Sequence, residues 1–260
     1  MRPLLLIAFA VLGCSAAQPT SAPDPSRLQL FVLAGQSNMA GRGLVEPEDR
    51  MPHARVLMLD RELRWVPAID PIHFDKTVAG VGPGRTFAVV IADRTPTMRI
   101  GLVPTAVGGS PIRTWEPGAY DSATKTHPYD DALVRARAAM KSGDLKAILW
   151  HQGESDGNAQ QAPLYEQRLR ALIARFRRDL GAPALPFLIG QLPRYDGVPW
   201  SPARERVDSA HRAVAHDMLN VAFVSAAGLK DKGDQVHFDS PSARELGRRY
   251  ASAWLQLAGR

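Results

Sequence analysis

The sequence predicts an α/β domain with a parallel sheet covered by helices on both faces. Three observations carry this. Short apolar runs of strand length recur at 30–34, 99–103, 145–150, 185–191 and 220–225. Stretches with helical periodicity lie between or after them, at 85–94, 129–141, 164–180, 201–218 and 240–257. Polar, often glycine-rich, segments follow the strands, at the edge where open parallel sheets keep their chemistry.

Composition sets the bounds. A chain of 260 residues that is 45% hydrophobic suits one domain with a substantial core. Gly and Pro number 21 each, which implies many loops but neither a repeat array nor wholesale disorder. The formal net charge of +6 would allow a nucleic-acid or anionic-surface role. The arginines are spread along amphipathic helices without interleaved aromatics, so they read as solvated faces, and no nucleic-acid partner is expected.

The first 14 residues read as a signal peptide. Met1-Arg2 is a basic start, a short apolar run reaches Leu12, and Gly13-Cys14 follows. The run is too short to span a bilayer. Val11-Leu12-Gly13-Cys14 resembles a bacterial lipobox, whose cysteine is lipidated; ordinary cleavage after Ala16 or Ala17 is the alternative. Either way the expectation is export, to the periplasm, to an outer-membrane lipoprotein, or into the medium. Residues 15–27, rich in Ser, Ala, Pro, Thr and Gln, read as a linker, so the domain occupies 28–260. Cys14 is the only cysteine and excludes an intrachain disulfide.

The first strand breaks at Gly35 into Gln36-Ser37-Asn38-Met39. Glycine permits a tight turn, and Gln36 and Asn38 set polar groups beside the Ser37 hydroxyl, where they are candidate substrate contacts. A short strand follows at 54–60, then a long loop holding Trp65, Pro67, Pro71 and His73; loops of that length in compact domains are usually functional. The glycines at 80, 82 and 84 lack the lysine of a P-loop. The strand at 99–103 ends in a glycine-rich segment with Gly108. Beyond it Trp115 either walls a pocket or plugs the loop from beneath. The strand at 145–150 runs into His151-Gln152-Gly153-Glu154-Ser155-Asp156, a polar stretch that is costly to bury without partners. The helix at 164–180 gathers Tyr165, Leu169, Leu172, Ile173, Phe176 and Leu180 on one face. Ser201-Pro202 suits a helix start, and Ser240-Pro241 starts the last helix after a charged loop holding Asp234 and His237.

Ser37, Gly108, Gln152, Glu154, Asp234 and His237 together supply the parts of an acyl-transfer site. A serine hydroxyl needs an imidazole to take its proton, and the imidazole needs a carboxylate to set its tautomer. Asp234 lies three residues before His237, within reach of its ring. The Ser37 and Gly108 amides and the Gln152 side chain are candidate oxyanion donors. His151, Glu154 and Asp156 could also suggest a metal, but crowded polar groups on one loop more often orient one another, and no metal is expected. His211 and His216 read as helix-surface or core residues.

These segments match a family pattern. In order, the chain carries Gly35-Gln36-Ser37-Asn38-Met39, Gly82-Pro83 with Phe87-Ala88, Ala106-Val107-Gly108-Gly109, His151 to Asp156, and Asp234-x-x-His237. This resembles the SGNH-type hydrolases, in the branch of carbohydrate esterase family 6 and the sialic-acid-specific acetylesterases. The resemblance implies a three-layer α/β/α sandwich of flavodoxin-like type with a mainly parallel sheet of about five strands. It implies a cofactor-free serine esterase that removes acetyl groups from sugars. Ser37 would be the nucleophile, His237 the base and then acid, and Asp234 its carboxylate, with Ser37, Gly108 and Gln152 forming the oxyanion hole. Glu154 is a second candidate for the carboxylate. The expected substrate is acetylated xylan or an acetylated oligosaccharide, with O-acetylated sialic acid second. A sugar-binding protein without catalysis is the competing reading, and membrane contact is expected only through a lipid at Cys14.

Overall fold

The computed structural model describes residues 27–259. The expected signal peptide with Cys14, and all of the linker but Arg27, lie outside the described residues. The first strand, β1 (Leu28–Gly35), is buried along its whole length. Its side chains alternate between two cores, Leu30, Val32 and Ala34 joining one and Phe31 and Leu33 the other. With both faces covered, such a strand reads as a continuous apolar run.

Six further strands follow: β2 (Val56–Leu59), β3 (Trp65–Pro67), β4 (Arg99–Pro104), β5 (Gly143–His151), β6 (Phe187–Gly190) and β7 (Val221–Val224). They form one sheet in the order β3-β2-β4-β1-β5-β6-β7. Every pair is parallel except β2 with β3. The helices are α1 (Ser37–Ala40), α2 (Pro83–Arg94), α3 (Pro128–Met140), α4 (Ala162–Asp179), α5 (Pro202–Asp217) and α6 (Ser240–Ala258). Apolar residues of α3, α4 and α5 pack with Leu30 and Val32, while those of α2 and α6 pack with Phe31 and Leu33. The architecture is therefore the expected three-layer α/β/α sandwich.

The sheet is wider than the expected five or so strands. Trp65, expected in a loop, begins β3, an antiparallel edge strand of three residues. So short a segment carries no readable alternation; its pairing with β2 makes it a strand. Helix starts follow local chemistry. Pro83 opens α2, two residues before the expected start. Ser201 Oγ accepts from the Arg204 amide at 3.2 Å to cap α5. Asp239 caps α6, accepting from the Ser242 amide at 2.8 Å.

Because β1 lies between β4 and β5, the segments that follow these three strands share one edge. β7 is three strands from β1, about 14 Å at the usual spacing. The loop after β7 must cross the ends of β6 and β5 to reach the centre.

Phe31 is fully buried and sits edge-on to Phe87 and Trp254, with ring centroids 4.8 and 5.1 Å away. Phe31→Ala is expected to cost about 3–5 kcal/mol in urea unfolding. A loss under about 1 kcal/mol would place the ring outside the core.

Candidate active site

The turn that carries Ser37 begins with a close approach of two strands. Gly35 pairs with His151 at the last register position of β1 and β5, and the Gln36 amide donates to the His151 carbonyl at 2.9 Å. Gly35 has φ +122°, and a Cβ there would collide with the His151 backbone. Only glycine fits. The chain then coils into α1, and Ser37, as its first residue, keeps an amide with no acceptor inside the helix.

His237 meets Ser37 from the loop between β7 and α6. Its Nε2 lies 3.0 Å from Ser37 Oγ, and its Nδ1 lies 2.8 Å from Asp234 Oδ2. Asp234 binds its own loop with the other oxygen, Oδ1, which accepts from the amides of Val236 at 3.0 Å and His237 at 2.8 Å. This turn is what the Asp-x-x-His spacing builds. Burial pushes the Asp234 carboxyl up, but the hydrogen bonds from the His237 amide and ring and the Val236 amide outweigh it and hold it well below the usual carboxylate range. An ionised Asp234 only accepts, so the proton of a neutral ring sits on Nδ1, and Nε2 is left to accept from the Ser37 hydroxyl.

Glu154 does not touch His237. Its Oε1 accepts from Asn38 Nδ2 at 2.7 Å. Asn38, a candidate substrate contact by sequence, is turned into the protein instead. It also donates to the Val236 carbonyl at 3.1 Å and accepts from the Phe238 amide at 3.2 Å, which leaves it no group for a substrate. Burial pushes the Glu154 carboxyl up, and its Oε2 has no partner among the described residues.

Gln152 also departs from its expected role. It is fully buried, and its Nε2 donates to Asp156 Oδ2 at 2.6 Å, with Gln36 Oε1 at 3.1 Å and the Ser110 carbonyl at 3.2 Å. Its Oε1 accepts from Tyr165 Oη at 2.9 Å. The amide is thus consumed beneath the site and offers nothing to an oxyanion. His211 Nε2, 3.0 Å from Tyr165 Oη, ends this buried network. His151 turns edge-on to Phe238, and its Nε2 has no hydrogen-bond partner among the described residues. Burial pushes both rings down to about 3, so both are uncharged near neutrality. Asp156 also accepts from the Ile112 amide at 2.9 Å, while His151 Nε2 lies 3.8 Å from Glu154 Oε1.

The Gly108 amide is engaged as well. It donates to Asp75 Oδ2 at 2.8 Å, and the same oxygen accepts from Arg42 Nη2 at 2.7 Å in a buried ion pair. A Cβ on Gly108 would strike both side chains. Of the three expected donors, the Ser37 amide alone has no other partner among the described residues. Trp115 is fully buried, edge-on to Trp150 at 5.0 Å, and donates from Nε1 to Ser110 Oγ at 3.0 Å. It is a plug and not a pocket wall.

A cavity of about 420 Å³ opens over Ser37 and His237, lined also by Gln36, Gly108, Glu154, Arg42, Lys76, Ser155 and Arg204. Gln36 is the one candidate substrate contact that reaches it. Arg42, Asp75, Lys76 and Arg204 escaped the sequence reading. The long loop holding Trp65, Pro67, Pro71 and His73 is the nearest signal in the sequence, since Asp75 and Lys76 follow closely on His73.

The model of the family described as carbohydrate esterase, sialic acid-specific acetylesterase matches residues 27–256. A probable carbohydrate esterase of Arabidopsis thaliana is 34% identical over 249 residues, 87% of this chain and 90% of that protein. The X-ray structure of that Arabidopsis protein superposes with a TM-score of 0.78 over 88% of this chain and 98% of its own. The fold is shared with NanS, at 21% identity and TM-score 0.75 over 92% and 99% of the chains. It is shared too with a carbohydrate acetylesterase of Xanthomonas citri, at 19% identity and TM-score 0.68 over 89% and 56%.

Two outcomes are expected of this geometry. Trp115→Phe should lower the denaturation midpoint while leaving KM for a small acetyl ester within about twofold, since the ring supports the site from below; a large rise in KM would return it to the pocket wall. His211 should make stability depend on pH. The folded ring titrates at about 3 and a free one near about 6.5. Between these values the unfolded chain binds the extra proton, so this contribution to stability is lost as pH falls. His151 acts in the same sense, and Asp70, pushed up to about 7 by burial, in the opposite one. Comparing His211→Gln with wild type at each pH isolates the one ring. The slope of unfolding free energy between pH 4 and 6 should flatten by up to about 1.4 kcal/mol per unit, and an unchanged slope would mean that the folded ring carries a proton.

Proposed function

Since the chain belongs to the carbohydrate esterase family of sialic acid-specific acetylesterases, and is therefore a carboxylic ester hydrolase, we propose that it removes O-acetyl groups from carbohydrates through Ser37, His237 and Asp234. One observation carries the reading: a hydroxyl, an imidazole and a carboxylate in sequence, at 3.0 and 2.8 Å.

Ser37 Oγ attacks the acetyl carbonyl carbon while His237 Nε2 takes its proton. Asp234 holds the ring through Nδ1–H and stabilises the imidazolium. The tetrahedral oxyanion accepts from the Ser37 amide. The Gly108 amide joins it only when Asp75 releases it, because a carboxylate oxygen and an oxyanion cannot share one donor. As the ester C–O bond breaks, His237 returns its proton to the departing sugar hydroxyl, leaving acetyl on Ser37. Water, deprotonated by His237, then attacks the acyl-enzyme, and acetate leaves with Ser37 restored.

The cavity volume is usual for a small-molecule site, which suits an acetylated xylo-oligosaccharide. A second reading has its own support. Lys76 and Arg204 line the cavity without an ion pair among the described residues, and such cations favour an acetylated sugar that carries a carboxylate, such as sialic acid.

Acetate release is to be compared on acetylated xylo-oligosaccharides, O-acetylated sialic acid and p-nitrophenyl acetate. Ser37→Ala is expected to lower kcat about 10⁴-fold or more, and Asp234→Asn on the order of 10²–10⁴-fold. Equal turnover by wild type and Ser37→Ala would overturn the mechanism. Preference for the xylo-oligosaccharide or for the sialic acid decides the substrate.

A further inference from the structure

The residue after the Ser37 hydroxyl does something that the mechanism above leaves unassigned. Asn38 reaches the peptide groups on both sides of His237, which is 199 positions along the chain. It donates to the carbonyl of Val236 and accepts from the amide of Phe238. Its remaining N–H goes to Glu154 Oε1 at 2.7 Å, the shortest of the three bonds. Both hydrogens and the carbonyl of the amide are therefore committed, and the pattern permits only one orientation of the group. Asparagine alone suits it. An aspartate would set a carboxylate against the Val236 carbonyl and against Glu154, and an alanine would leave all three groups unpaired.

The sequence left Asp234 and Glu154 competing for one imidazole. A ring has two nitrogens, and here Ser37 lies at one and Asp234 at the other. Glu154 nonetheless lies buried beside the cavity, with a side chain only 6% exposed. Its nearest imidazole is His151, 3.8 Å away and uncharged. A buried carboxyl group is expensive unless it is hydrogen-bonded or paired, and the hydrogen bond that the Glu154 side chain accepts among the described residues is from Asn38.

We propose that Asn38 and Glu154 are positioning residues that form a clamp: Glu154 fixes the Asn38 amide, and Asn38 holds the backbone around His237 so that the imidazole stays on Ser37. The assignment rests on the mechanism proposed above, because it gives the clamp its purpose. The loop needs such a hold. It departs from β7, at the far edge of the sheet, and Gln235 within it takes a left-handed φ of +59° that an L side chain rarely adopts. Displacing a catalytic group by about 1 Å costs about 100-fold in rate. Glu154 acts here through geometry and not as a second carboxylate for the imidazole.

Glu154→Gln, Glu154→Ala, Asn38→Ala and Asp234→Asn separate these roles when kcat, KM and the pH profile of kcat/KM are measured on p-nitrophenyl acetate. Glutamine can still accept from Asn38, so Glu154→Gln should recover to within about threefold of wild type. Glu154→Ala and Asn38→Ala should lose about 10- to 100-fold in kcat with KM nearly unchanged. Their acid limb should stay where it is in wild type, whereas Asp234→Asn should move it. Hydrogen exchange across 232–239, read without substrate, should quicken in Asn38→Ala and Glu154→Ala and stay slow in Glu154→Gln. If Glu154→Gln is as damaging as Asp234→Asn and shifts the same limb, Glu154 is an imidazole partner and the clamp is wrong. Wild-type kcat and slow exchange in the alanine variants would also overturn it. Should Asn38→Ala fail to fold, the two Glu154 variants report on the same clamp from its other end. Ser37→Ala turning over as fast as wild type would sink the mechanism, while the exchange data would still decide whether the clamp exists.

Discussion

The closeness of β1 and β5 at their carboxyl ends constrains everything built above them. Gly35 sits against the His151 backbone with no room for a side chain, and the Gln36 amide extends the pairing by one more bond. Two chemically loaded turns therefore leave the sheet side by side. One carries Ser37 and Asn38, and the other carries Gln152, Glu154 and Asp156. Any residue larger than glycine would part the strands there, and with them the hydroxyl and the groups that support it.

Beneath the cavity lies a layer of buried polar side chains. Gln152, Asp156, Tyr165 and His211, all fully buried, bond in one network that Gln36 joins from the cavity floor. Losing any one of these bonds would leave a further buried group to bear its desolvation cost, as Asp156 Oδ1 and His211 Nδ1, without partners among the described residues, already do. The result is a stiff floor. Stiffness has a chemical use: a nucleophile held by packing and hydrogen bonds spends little reorganisation when charge develops beside it. The buried Arg42–Asp75 pair is bonded to the Gly108 amide, so a charged side chain of the protein occupies that donor.

His237 is positioned by forces of two ranges. The local one is the turn around Asp234, which ties two amides with one carboxylate oxygen and the ring with the other. That turn shapes the loop but does not locate it. Location comes from Phe238, buried against His151 and Tyr195, and from the amide of Asn38. The first range aims the ring and the second delivers it, across the width of three strands.

The sequence by itself determined the layered α/β architecture, five of the strands and the short one beside them, the five long helices, and the edge of the sheet that carries Ser37. These depend on apolar periodicity, caps and glycine turns, all of which act within a few residues. The Asp-x-x-His turn belongs to the same class. Only the tertiary structure decided that the imidazole faces Asp234 and not Glu154, that Gln152 spends its amide on Asp156, that Asp75 holds Gly108, and that Trp115 fills the core. It also decided that three residues at Trp65 are a strand. Each of these is a choice among partners of similar chemistry brought together from distant parts of the chain. Composition names the candidates, but a hydrogen bond is directional and short, so the winner is set by where the folded backbone aims each side chain.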